Sequence, residues 1–178
     1  MKVSKTLNLG SGQRKIRGAL NLDFNRQSNP DLIYDLNKTP YPFKANQFNE
    51  IICFDVLEHL DDLIAVMGEL HRVTKKGARI IIESPHFSSV NAFCDPTHKH
   101  FFSIFSFDYF TGENQWHYYL KGKFSFKTLE RRIVFAPGFV NKIRGKFFNK
   151  HKKLYESSFA WRYPALKVKI VLETVKAP

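Results

Sequence analysis

The turn Gly10-Ser11-Gly12 and the carboxylates Asp23, Asp35 and Asp55 carry the clearest chemical meaning in this sequence. The glycines follow an apolar-leaning run, 3–9, that reads as a strand. Glycine tolerates left-handed backbone and lets a ligand approach the main chain closely. Each carboxylate closes an apolar run of its own, at 19–22, 32–34 and 51–54. Open α/β sheets bind ligands outside the carboxyl ends of their strands, so this pattern describes one polar small-molecule site. The dinucleotide fingerprint fits it poorly. Lys15 stands where a third glycine belongs, and Asp23 follows Gly12 by eleven positions where that motif wants about 20. Three histidines near these runs, His59, His86 and His98, have the right chemistry to accept a proton.

The elements that must position these residues alternate. Strand-like runs lie at 3–9, 19–23, 31–35, 48–54 and 79–83. The continuous apolar stretch Ile51-Ile52-Cys53-Phe54 is typical of a parallel strand buried on both faces. Over 56–75, Leu60, Leu63, Ile64, Met67, Leu70 and Val73 recur at spacings of three and four, which predicts a helix. Glu58-His59 reads as an exposed start of that helix, where an acid suits the dipole, and Gly77 closes it. Residues 13–18 are too few for a full crossover helix. Two more strands are expected at 124–135 and 166–175. In the second, Leu166, Val168, Ile170 and Leu172 alternate with Lys167, Lys169 and Glu173. Between them, 137–164 forms an insertion in which Val140, Ile143, Phe147 and Leu154 can share a helical face among Lys142, Lys146, Lys150 and Lys153. The class is α/β with a mainly parallel sheet.

A chain of 178 residues holds one core and is short for two. A single domain over 1–178 is expected, with 1–85 as the ligand-binding half and 86–178 as the substrate half. No run of about 18 apolar residues is present, and 1–12 is too polar for a signal peptide. Cys53 and Cys94 make neither a zinc spacing nor a disulfide framework, so a reducing, cytoplasmic setting is expected. The charge is lopsided: residues 121–178 hold fifteen Lys and Arg against three acids, a net +12 equal to that of the whole chain. That half suits an anionic partner or simply water.

From Lys5 to Pro85 the sequence resembles the class I S-adenosylmethionine-dependent methyltransferases. The likeness rests on Leu7-Asn8-Leu9-Gly10-Ser11-Gly12, Asn21-Leu22-Asp23, Asp35-Leu36-Asn37, Pro42-Phe43 before Phe48-Asn49-Glu50-Ile51, and Phe54-Asp55-Val56-Leu57-Glu58-His59-Leu60. These pieces follow in the family's order, each at a strand end. The resemblance implies a Rossmann-like fold: a seven-stranded mixed sheet with helices on both faces, shortened N-terminal helices and a basic aromatic insertion before the last strand. It also implies S-adenosyl-L-methionine as cofactor and S-adenosyl-L-homocysteine as product. Leu9, Gly10, Ser11 and Gly12 would meet the methionine part and Asp23 the ribose hydroxyls. Asp35 and Leu36 would frame the adenine, and Asp55 and Val56 would form the floor beneath the sulfonium.

Methyl transfer from a sulfonium needs no acid for its leaving group; it needs alignment and exclusion of water. For a hydroxyl nucleophile, a histidine in reach would take the proton. His98, in Asp95-Pro96-Thr97-His98, is the first choice, followed by His86 and His59. Asp95, His98 and His100 could be drawn as a metal set, but the chemistry requires none and none is expected. That loop and the insertion look similar to those of relatives linked to cell-surface glycan assembly. The expected acceptor is therefore a sugar or other small hydroxyl compound, with a lipid-linked one favoured, and peripheral contact with an anionic membrane is expected. Nucleic acid is the weaker partner, since basic and aromatic residues interleave without a binding motif. The alternatives are an RNA methyltransferase and a cofactor-binding adaptor without turnover.

Overall fold

The computed structural model describes residues 5–112 and 124–176. Seven strands form one sheet: β1 (Thr6–Leu9), β2 (Leu20–Asp23), β3 (Leu32–Ile33), β4 (Phe48–Phe54), β5 (Thr74–Pro85), β6 (Ser125–Val134) and β7 (Lys167–Val175), in the order β3-β2-β1-β4-β5-β7-β6. β1 to β5 pair in parallel, and β7 runs antiparallel to both β5 and β6. The order reverses between β1 and β4, which opens a crevice at their carboxyl ends.

The registers place Leu7, Leu9, Leu22, Ile51, Cys53, Ile80, Ile82, Val168, Ile170 and Leu172 on one face. All ten are buried in a single hydrophobic cluster. Helix α1 (Leu63–Val73) adds Val66, Met67, Leu70 and Val73 to it, and α2 (Phe139–Lys150) adds Phe148. The expected helix over 56–75 is thus divided. A short 3-10 turn, Leu57–His59, comes first, and α1 starts where Asp62 caps the Ala65 amide. α1 ends four residues before Gly77, because Thr74 already pairs with Phe48 and its hydroxyl meets Thr174 across the core.

The opposite face differs from the expected helix layer. Ile52 and Val171 are buried there outside the main cluster. Both pair in register with Ile81, and along the same face lie Arg79, Glu83, Lys167, Lys169 and Glu173, with Lys169 reaching Glu130 and Lys167 reaching Asp55. Over β1 and β2 the turn at 13–18 stands in for a crossover helix. Buried Asn8 donates to the Arg14 carbonyl and to Asn21 Oδ1, which also accepts from the Ile16 amide. Asn21 in turn donates from its backbone and side chain to Asp31 Oδ2. These Asn21 hydrogen bonds hold the Asp31 carboxyl below its ordinary value of 3.8.

Replacing Asn21 by Ala strands the Ile16 amide and the Asn8 side chain. Urea unfolding should show a loss of about 2 kcal/mol at neutral pH. Because a lowered carboxyl stabilises the fold above its unfolded value and loses that effect as pH falls through the folded one, the gap between Asn21→Ala and the parent should narrow below about pH 4.

Candidate active site

The crevice between β1 and β4 opens into a cleft of about 730 Å³ lined by Gly10, Gly12, Asp23, Asp35, Leu36, Asp55, Val56, His59, Thr97 and Lys99, among others. Gly10 and Gly12 have φ of 56° and 44°, a left-handed turn that side chains with a Cβ adopt at a cost. Space forbids a side chain at Gly10 as well, since a Cβ there would lie 2.4 Å from Val56 Cγ2. The turn is held from β2. Asp23 Oδ2 accepts from the Gly12 amide at 2.7 Å and Oδ1 from the Asn25 amide at 2.8 Å. The Ser11 amide donates to the Leu22 carbonyl.

Asp55, at the end of β4, also has positive φ, 56°, a conformation rare for residues other than Gly and Asn/Asp. Its Oδ2 is 2.5 Å from Lys167 Nζ and 3.3 Å from Arg14. Its Oδ1 and the Ser11 hydroxyl are buried without a partner among the described residues. Two unsatisfied polar atoms beside a glycine turn call for a polar ligand.

The cleft is continued by the 3-10 turn and the loop 95–100. The Lys99 and His100 amides donate to the Glu58 carbonyl, and Lys99 Nζ pairs with Asp61. His59 and His98 meet edge to face, ring centres 4.6 Å apart. Burial, and then the neighbouring His98, lower the His59 pKa below 6.5. Burial pushes the Glu58 carboxyl up, opposed by the Ser84 hydrogen bond.

Residues 18–82 match the family model for a methyltransferase domain. Over that segment the chain is similar to methyltransferase domains. A search of curated proteins finds no significant match. Among solved structures, it is similar to a SAM-dependent methyltransferase from Archaeoglobus fulgidus (15% identity, 95% of this chain and 85% of that one, TM-score 0.61). It is similar also to an S-adenosylmethionine-dependent methyltransferase from Mesorhizobium loti (12%, 95% and 90%, 0.60). A third neighbour is the [4+2]-cyclase SpnF (13%, 97% and 75%, 0.55). At such identities the likeness fixes architecture and leaves the acceptor open.

Of the residues expected from sequence, the fold brings Gly10, Gly12, Asp23, Asp35, Leu36, Asp55, Val56 and His59 around the cleft. Ser11 lines an adjoining recess of about 260 Å³. The Leu9 side chain lies in the core, leaving only its backbone near the turn. His98 adjoins His59. His86 is elsewhere. It is fully buried, with Nδ1 on Ser88 Oγ and Nε2 on Glu156 Oε1, so both ring nitrogens are engaged and an acceptor in the cleft cannot reach it. Glu156 also accepts from Ser103 Oγ and the Ile104 amide, so this network ties the insertion to the core. The sequence pattern holds the signal: Ile80, Ile82, Ser84 and His86 alternate on the buried side of β5 and its extension.

Sequence reasoning missed Thr97 and Lys99 as cleft residues and read Glu58 as exposed, whereas it is 1% exposed. The turn signature in Asp95-Pro96-Thr97 was readable: Asp95 Oδ1 accepts from the Thr97 amide.

Two substitutions test the turn. Asp23→Ala and Gly10→Ala should each weaken S-adenosylhomocysteine binding by at least about tenfold, since the left-handed turn alone costs a Cβ about 1–2 kcal/mol. Isothermal titration measures this.

Proposed function

We propose that the methyltransferase transfers the methyl group to an oxygen of a sugar or other small hydroxyl acceptor presented at an anionic membrane surface. The observation that carries this reading is the His59–His98 pair, which meets the same cleft as the glycine turn and Asp23. S-adenosylmethionine, when bound, supplies an electrophilic methyl on a sulfonium. The chain's own residues bind, orient and exclude water.

The backbone of 9–12 receives the methionine part, with Ser11 Oγ and Asp55 Oδ1 as unpartnered atoms for its polar groups. Asp23 takes the ribose hydroxyls on the lone pairs that Gly12 and Asn25 leave over. Asp35 and Leu36 frame the adenine, and Val56 packs beneath the reacting centre. On the acceptor side, Thr97 donates its proton to Asp95 Oδ1 and therefore accepts from His59 Nδ1. The His59 Nε2 lone pair is thereby left to take the acceptor's proton.

The membrane side rests on α2. Phe139, Val140, Ile143 and Phe147 are at least half exposed, next to Lys142, Lys146 and Lys150. Leu154 and Trp161 later in the insertion are exposed as well, Trp161 by 70%. A helix with an apolar stripe edged by lysines lies in the headgroup layer of an anionic bilayer. A groove of about 650 Å³ between α2 and the end of β6, lined by Phe135, Phe139, Lys142 and Lys146, offers an apolar slot with a cationic rim. No helix among the described residues is long and apolar enough to cross a membrane.

Labelled S-adenosylmethionine added to a cell extract should label a lipid-extractable or glycan product and not RNA; label in RNA alone overturns the reading. Flotation with phosphatidylglycerol vesicles should carry the protein at low salt. With each lysine worth about 1 kcal/mol, the triple change of Lys142, Lys146 and Lys150 to Glu should weaken partitioning by at least about a hundredfold.

A further inference from the structure

Glu58, His59 and His98 each offer a metal-ligating atom, and these atoms lie within 4.8 Å of one another. We propose that they bind a divalent transition-metal ion at the wall of the cofactor cleft.

The strongest support is Glu58. It is buried, its Oε2 accepts from Ser84 Oγ at 3.0 Å, and its Oε1 has no partner among the described residues. A buried carboxylate oxygen left unpaired is costly, and an ion beside it removes the cost. The second support is the tautomer of each histidine. His98 Nδ1 faces the Ala92 carbonyl at 3.0 Å; a carbonyl only accepts, so Nδ1 carries the proton and Nε2 keeps its lone pair. The Asp95–Thr97–His59 chain fixes His59 in the same way. Ligating histidines characteristically donate their second N–H to a carbonyl or a carboxylate-linked group, and both do so here.

The donor set is two imidazoles and one carboxylate. It suits Zn²⁺ or a non-haem Fe²⁺-type ion, whereas Mg²⁺ and Ca²⁺ prefer oxygen alone. The scaffold brings the three together before any ion arrives, because the backbone amides of Lys99 and His100 dock the His98 loop onto Glu58. Ligand bonds of about 2.1 Å would draw the three atoms further inward. Three protein ligands leave a position open, and His59 lines the cleft, so water or the acceptor's oxygen completes the shell. An ion-bound hydroxyl ionises more easily, and the ion would then replace the His59 lone pair in that role. This consequence rests on the methyl-transfer reading; ion binding itself does not.

The test uses full-length protein stripped with EDTA and titrated with Zn²⁺ in a calorimeter, with Co²⁺ absorption reporting the ligand geometry. One ion per chain should bind, and Glu58→Gln and His98→Ala should each weaken it by at least about tenfold. His151→Ala, on the insertion, should leave it unchanged. S-adenosylhomocysteine affinity without metal verifies the fold of each variant; if Glu58→Gln loses it, His98→Ala decides. Absence of saturable binding, or binding that both variants retain, overturns the site and favours a protonated Glu58. Either result leaves methyl transfer to be judged by its labelled product.

Discussion

The close approach of Gly10 to Val56 is the constraint from which the cleft follows. β1 and β4 are neighbours in register, Leu9 beside Cys53, so the chain leaving each must diverge within one or two residues. Left-handed backbone at Gly10 and Gly12 on one side and at Asp55 on the other achieves this divergence. Asp23 then reaches across from β2 to hold the Gly12 amide. Three strand ends are thereby locked together, and the space they leave is shaped by backbone rather than by mobile side chains.

The wall beyond that turn is built differently. Glu58 and His59 sit on a single 3-10 turn, and the loop carrying Thr97, His98 and Lys99 is fastened to it by two backbone hydrogen bonds and one ion pair. These polar ties sit on apolar anchors, since Val56, Leu57 and Leu60 around the turn and Phe102 after the loop are all in the hydrophobic core.

Much of this was legible in the sequence for a physical reason. Glycines and carboxylates at strand ends are local signals, and the seven strands announce themselves by apolar runs or by alternation. The failures also have causes. His86 lies beyond the strand expected at 79–83, yet the period of two continues through it onto the buried side. Glu58 was read as exposed because helical spacing was extended back to Val56; the actual 3-10 turn rotates the side chain inward, to Ser84. Nothing in residue type alone reveals that turn. The contact of His59 with His98 spans the whole of α1 and β5, and no local pattern encodes it.

The one-sided core has a calorimetric consequence. A doubly wound domain exposes two apolar layers when it melts, whereas among the described residues the second face sets half-buried lysines and glutamates around the buried Ile52 and Val171. Heat-capacity change tracks newly hydrated apolar area, so the melting increment should fall below the usual 12–15 cal/mol/K per residue or so. The curve of stability against temperature is correspondingly shallow, which spreads moderate stability over a wide thermal range.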